Sequence, residues 1–409
     1  MFSMLPINSL KEDDKYNGTH LVTTKHKKYS SVLKTAVIYG ANSSGKSNLL
    51  IGLSNLQEFV FYNLAGNRPL YRSVYEPFAL TKNVNQNPTL YEIQFLIGKY
   101  LYRYGFESQH DCIASEWLYR NEKELFYRNK QKIIVGNSFV EGKGKESQTR
   151  PDALFLSVCH SYNGLISKEI FDWFRRIQIR GVPTKGKTLM DNLSDQNPNQ
   201  YLNDPTIFKR LKQIVQLADT GIVDFQKHEQ NIVQNKRNPE TNIVEQTISK
   251  RRNFNVVYQC GDKNVELELD KLSAGTLKML YTAGTILRAI DTDGVVCIDE
   301  IGIQLHPFLI EALLNFFHRN NNGRSQLIFT AHNTYPLRKK LLRRDQVWFM
   351  DKNANFSSQL TNFAEFKIPP NSLYEEDYLN GRFGGIPLCD FIDFINGEPN
   401  DSKTKSRRR

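Results

Sequence analysis

The sequence predicts an α/β fold built around a parallel sheet. Three stretches carry that expectation: AVIYGANSSGKSNLL from Ala36 to Leu50, VVCIDE from Val295 to Glu300, and QLIFTAHN from Gln326 to Asn333. Each is a short apolar run that ends in residues suited to phosphate chemistry. Runs of this kind fit a parallel sheet buried on both faces, where sites form at the carboxyl ends of the strands.

In the first stretch Val37, Ile38 and Tyr39 read as a strand, and apolar residues recur at helical spacing from Asn48 to Leu56. Between them Gly40, Ala41, Asn42, Ser43, Ser44, Gly45, Lys46 and Ser47 make a complete P-loop pattern, extended by Asn48. The glycines let the backbone turn with its N–H groups inward, and Lys46 can reach the outer phosphates. Ser47 offers a hydroxyl to Mg²⁺ at a helix N-terminus, where the dipole favours anions.

The second stretch places an acidic pair at a strand end. Asp299 is expected to hold Mg²⁺ through water, and Glu300 to polarise an attacking water. Without the P-loop, the pair would read as a solvated acidic turn. Before it, LSAGTLK (Leu272–Lys278) opens a helix with a serine, a small residue and a glycine, a second anion-binding N-terminus suited to use in trans through Ser273 and Gly275. The third stretch puts His332 at another strand terminus. A lone histidine there reads as structural, and only its neighbours give it a site.

In this order the motifs resemble the head of an ABC-type ATPase, and GKSN resembles the RecF and structural-maintenance-of-chromosomes branch. More narrowly, AVIYGANSSGKSNLL, YEIQFLIGKYLYRYGF, IASEWLY, DKLSAGTLK, CIDEIGIQLHP, TAHNTYPL, RRDQVWFM and YLNGRFGGIP resemble prokaryotic AAA-type ATP-binding proteins of the RloA and AbiL kind, ATPase halves of phage-defence operons. The resemblance implies an ABC-type P-loop head with antiparallel β-hairpins and a helical insertion, ATP and Mg²⁺ as ligands, and a homodimer that sandwiches ATP. Ser273 and Gly275 of one chain would meet the γ-phosphate held by Lys46 and Ser47 of the other, with His332 as the switch histidine. It also implies a companion effector, a Toprim-like nuclease. Two departures stand out: Ile301-Gly302-Ile303-Gln304 lacks the usual polar D-loop residues, and the sequence opens at MFSML where the family places a strand before such a segment, so that either the start lies upstream or an edge strand has been lost.

Composition sets the frame for partners. Lys+Arg 54 against Asp+Glu 43 gives a net charge of +11, which makes nucleic acid a candidate partner. Basic residues gather at Lys403–Arg409, at Lys250-Arg251-Arg252, and at Arg175, Arg176 and Arg180, read as the end of an apolar helix. The tail reads equally as a solvated end. No apolar run is long enough to span a bilayer, so a cytoplasmic, membrane-free protein is expected. Cys112, Cys159, Cys260, Cys297 and Cys389 have no CxxC spacing and read as buried thiols rather than disulfides or a zinc site.

Along the chain, residues 1–135 form an N-terminal lobe with the P-loop and hairpins, and 136–255 a mainly helical insertion with connecting strands. Residues 256–365 carry the signature, acidic strand and histidine, and 366–409 form a C-terminal extension. The insertion is too short for a long coiled coil, and its helical pattern from Ala153 to Thr220 suggests an arm that grips a partner or DNA. No DxD follows His332 and no NKxD motif is present, so nuclease chemistry belongs elsewhere and ATP is favoured over GTP. Beside a defence ATPase stand two alternatives: a RecF-like DNA-repair or DNA-loading ATPase, and, ranked lowest, a transporter's ATP-binding subunit.

Overall fold

Alternation along the apolar strands sorts their side chains to two faces. Val37, Tyr39, Val296, Ile298, Leu327, Phe329, Val347 and Phe349 join one core with the helices Pro205–Ala218, Ala274–Thr292 and Pro307–Asn320. Ala36, Ile38, Cys297, Ile328, Trp348 and Met350 face the other way, onto Leu50 of the helix Lys46–Tyr62. The computed structural model describes residues 1–7, 19–65, 74–80, 87–110, 112–182, 199–219, 221–237, 244–369 and 371–386, with backbone alone for 230–237 and 244–252.

These strands form a six-stranded sheet in the order Ser358–Asn362, Val347–Lys352, Thr35–Gly40, Gln326–Thr330, Val295–Ile298, Ile177–Arg180. All neighbours run parallel except the first pair. Thr35–Gly40 and Val295–Ile298 therefore flank Gln326–Thr330, and their carboxyl ends open on one edge.

A second sheet is antiparallel and five-stranded, from Thr89–Ile97 through Tyr100–Gln109, Cys112–Arg120 and Lys123–Asn129 to Lys132–Val135. Its core takes in Leu56, Phe59 and Val60, so one helix spans both sheets: its first half packs on the P-loop sheet and its second half on the hairpins. The helices Phe155–Ser161 and Leu165–Arg175 complete this layer. The mixed α/β architecture with antiparallel hairpins is the one the sequence predicts. Among the described residues no helix is long and apolar enough to cross a membrane.

Three expectations need correction. Ile177–Arg180 is not the end of a helix but a parallel strand, hydrogen-bonded to Val295–Ile298, so Arg180 is separated from Arg175 and Arg176. The run IQIR alternates at period two, and a neighbouring strand was needed to reveal it. Nor is the helical segment a free arm: Pro205–Ala218 buries Ile207, Leu211 and Val215 in the main core. The long element is a β-ribbon, Ile222–Arg237 paired with Val244–Cys260, of which only Asn255–Cys260 pairs also with Lys263–Glu268. The cysteines are mixed too: Cys159 and Cys297 are buried, Cys112 is half-buried and Cys260 is exposed beside a hairpin turn. Cys389, Lys403–Arg409 and residues 183–198 lie outside the described residues, as do the side chains of Lys250, Arg251 and Arg252.

Candidate functional site

The P-loop leaves its strand at Gly40 and enters the helix Lys46–Tyr62 through Gly45, whose φ of 107° is open to glycine and strained for other residues. Space excludes a side chain as well. A Cβ on Gly45 would collide with Ser358 Oγ, and one on Gly40 would lie 2.5 Å from the Met350 carbonyl oxygen. Asn42 and Ser43 are exposed at the loop's crest, while Ser44 is buried. Ser47 is half-buried and Asn48 exposed in the first helical turn. Lys46 is 5% exposed and donates to the carbonyls of Gly40 at 2.7 Å and Ala41 at 2.9 Å. Burial lowers its pKa, and the opposing pull comes from Asp299 and Glu300. The P-loop cation and the acidic pair thus share one electrostatic neighbourhood, although they lie more than 250 residues apart in the chain.

The acidic pair is held by residues that sequence reasoning passed over. Thr330, fully buried at the end of the neighbouring strand, donates from its hydroxyl to Asp299 Oδ1 at 2.5 Å and accepts from the Glu300 N–H at 2.8 Å. Asp299 N–H donates to the Arg180 carbonyl at 2.8 Å, which ties the pair to the unforeseen edge strand. Glu300 has φ 53°, a left-handed conformation unusual for its side chain and of the kind that clusters at functional sites. Its Oε1 stands 3.3 Å from His332 Nε2, with both side chains about two-fifths exposed (39% and 40%). The only sequence signal for Thr330 was its place at the strand end.

The signature segment is arranged differently. Ser273 caps the helix Ala274–Thr292, its Oγ accepting from Thr276 N–H at 3.1 Å, and Ser273 and Ala274 are exposed. Thr276 Oγ1 in turn donates to Asp219 Oδ2 at 3.1 Å, and Tyr258 donates to the same oxygen at 2.8 Å. A Cβ on Gly275 would lie 2.9 Å from the Gln304 carbonyl oxygen, so the helix start rests on the loop that succeeds Glu300. Among the described residues, no hydrogen bond joins Ser273 or Gly275 to the P-loop of the same chain. Lys278, one turn further along, is half-buried; burial lowers its pKa against the pull of Glu300 and Asp299.

Chemically, the edge offers backbone N–H groups at a helix start, a lysine, a hydroxyl, two carboxylates and an imidazole. Among the described residues no group of three or more His, Cys, Asp or Glu could hold a metal by itself. One carboxylate and one hydroxyl do suit Mg²⁺, which takes few protein ligands and completes its shell with water and phosphate.

Residues 36–337 match the family described as "AAA domain, putative AbiEii toxin, Type IV TA system". No curated protein sequence matches the chain. Solved structures with a similar course include an SMC head bound to the C-winged helix domain of ScpA, at 12% identity and a TM-score of 0.40, covering 81% of this chain and 91% of that one. The SMC head domain from Thermotoga maritima gives 12% and 0.41 over 85% and 97%. The Smc head domain with an extended coiled coil, bound to the C-terminal domain of ScpA derived from Pyrococcus furiosus, gives 10% and 0.37 over 82% and 92%.

Proposed function

This chain belongs to the AbiEii-type AAA-domain family, and from that premise we propose that it binds ATP with Mg²⁺ and hydrolyses it at a homodimer interface, gating a companion effector in phage defence. One observation carries the reading: Lys46 at the P-loop and the Asp299–Glu300 pair meet at one edge of the parallel sheet, close enough for the acids to act on the lysine's charge.

In this reading the N–H groups of the P-loop and Lys46 bind the β- and γ-phosphates. Ser47 and Asp299 would hold Mg²⁺, which would supply charge neutralisation to the phosphates. Glu300 accepts the proton of the attacking water as its oxygen bonds to the γ-phosphorus and the bond to ADP breaks. His332, beside Glu300, contacts the γ-phosphate. Ser273 and Gly275 complete the site of the partner subunit, a role supported by the exposure of Ser273 and Ala274 at the helix start. The family's toxin–antitoxin description supports a defence role, and a separate Toprim-like nuclease is the effector we propose. Nucleic acid is the alternative partner: ATP turnover stimulated by DNA in the purified chain alone would favour a RecF-like role.

Mixing two inactive variants tests the shared site. Lys46→Ala removes phosphate binding and Ser273→Arg blocks the signature, so each alone should be inactive while Ser273→Arg still binds ATP. A random mixture restores one composite site in half of the dimers, and about a quarter of full activity should return if sites work independently. No recovery after confirmed subunit exchange, or full activity of Ser273→Arg alone, rejects the arrangement.

A further inference from the structure

The family match ends at residue 337, yet the nucleotide edge is built partly by residues beyond it. Three later segments press on the P-loop from below. Ser358 Oγ donates to the Ser44 carbonyl at 2.6 Å, and Met350 closes on Gly40. The third is the turn Gly381–Gly385, where Gly384 and Gly385 have φ of 70° and 69°. A Cβ on Gly385 would lie 3.3 Å from both Gly40 Cα and the Met350 carbonyl oxygen, and one on Gly384 2.8 Å from Asp351 Oδ2. The left-handed backbone favours glycine at both positions, and at Gly385 the space for a side chain is tight as well.

The turn is fixed to a short helix, Tyr374–Leu379. Tyr378 hydroxyl donates to the Gly385 carbonyl at 3.0 Å and its ring stacks on Phe349 at 5.2 Å. Phe383 stacks on the same ring at 5.3 Å. At the other end of the helix, Glu375 Oε1 accepts from Thr334 Oγ1 at 2.5 Å, and Thr334 lies two residues beyond His332. Arg338 adds a 3.8 Å ion pair with Glu375 Oε2. One six-residue helix therefore touches the loop of the candidate switch histidine and, through its C-terminal turn, the first glycine of the P-loop. Next to that glycine in the chain, the buried Tyr39 hydroxyl has no hydrogen-bond partner among the described residues, and its ring lies 5.7 Å from Tyr378.

We propose that the segment 374–385 is positioning machinery of the nucleotide site, with its two ends acting on different steps: Glu375, through Thr334, sets the loop that carries His332, and the Tyr378-held Gly384–Gly385 turn seats Gly40 of the P-loop. This rests on the ATPase reading above. The Glu375 end should govern turnover, because His332 serves the reacting phosphate. The Gly385 end should govern binding, because Gly40 shapes the cradle.

The test is a split between kcat and KM, with ATP affinity measured separately by a fluorescent nucleotide. Glu375→Ala should lower kcat about fivefold or more and leave KM and nucleotide affinity within about twofold, while Glu375→Gln, which keeps an acceptor for Thr334, restores kcat. Tyr378→Phe frees the turn without introducing strain and should raise KM and the nucleotide dissociation constant about three- to tenfold, with kcat within about twofold. Gly385→Ala should exceed it in the same direction. The inference fails if the parental protein turns ATP over and both ends shift kcat and KM alike, if neither end shifts them, or if Glu375→Gln behaves as Glu375→Ala. A parental protein that neither binds nor hydrolyses ATP rejects the ATPase reading instead, and the inference with it.

Discussion

Glu116, in the antiparallel sheet, and Glu300, at the edge of the parallel one, are carboxylates in opposite circumstances. Glu116 is fully buried and accepts from the N–H groups of Phe155 at 2.6 Å and Leu156 at 3.1 Å and from the Tyr104 hydroxyl at 3.1 Å. Arg128, also fully buried, stands 3.7 Å from it and donates to the carbonyls of Lys130, Ala153, Arg150 and Pro151. Burial pushes the Glu116 carboxyl up, and Arg128 and these donors pull it back. Glu300 sits instead in a left-handed backbone, part-exposed, with His332 beside it at 3.3 Å. The first acid has its hydrogen-bonding capacity filled by the fold and caps the start of the helix Phe155–Ser161. The second keeps an oxygen face open at a sheet edge, at the cost of an unfavourable φ. Charge completed inside the protein builds structure, and charge left incomplete at an edge is available for a substrate.

That contrast is broken most directly at Glu300. Replacing it with Gln keeps the shape and leaves Asp299 in place, but removes the proton acceptor, so turnover should fall by about a hundred- to ten-thousandfold while ATP is still bound. Thermal stability should hardly change, and the variant should accumulate as an ATP-closed dimer on gel filtration. Parental turnover would remove Glu300 as the base. Glu116→Ala should do the reverse. Loss of the buried partner leaves Arg128 uncompensated and the N–H groups of Phe155 and Leu156 without an acceptor, at a cost of about 3–5 kcal/mol in denaturant unfolding. Nucleotide affinity of the folded fraction should stay near parental. A Glu116 variant of ordinary stability but defective binding would collapse the distinction between the two acids.

The two regions also differ in how far the sequence revealed them. The P-loop and the acidic strand were legible because each is a local pattern, glycines where only glycine fits and carboxylates at the end of an apolar run, whereas His332 stood out only through these neighbours. Thr330, Ser358 and Gly385 were not legible as parts of the edge, since a threonine, a serine and a glycine carry no signal until a strand order brings them beside Asp299, Ser44 and Gly40. The strand Ile177–Arg180 was lost for a similar reason, being four residues long and coming directly after a strongly helical pattern. Glu116 and Arg128 lay within the hairpins that the sequence indicated, but alternating strands give no sign that two charged residues point inward at the same level. The length of the ribbon Ile222–Arg237 and Val244–Cys260 was hidden by polar residues, which weaken any period-two pattern.

A third site, at the opposite end of the same parallel strand, gives the smallest effect and sharpens the comparison. Thr35 opens the strand that Gly40 closes, and its Oγ1 lies 2.7 Å from Nε2 of the buried His318. The His20 ring packs on His318 at 3.8 Å, with Gln346 Oε1 2.7 Å from His20 Nδ1. Burial, then the charges of His20 and Lys34, hold His318 well below the ordinary histidine range. The sign comes from linkage. Above about pH 6.5 His318 is neutral in both states and its contribution is fully present; as pH falls below that, the unfolded chain takes up a proton that the folded one refuses. Stability should therefore drop by up to about 1.4 kcal/mol per pH unit, until the folded state also protonates. Melting temperatures at pH 7.5 and 5.5 measure it, and His318→Gln, which keeps an amide to face Thr35, should flatten the difference. An unchanged slope in that variant would assign the acid sensitivity to other groups. A flattened one would show that this end of the strand keeps its buried imidazole neutral against Thr35, in contrast to the part-exposed carboxylate and imidazole at the other end.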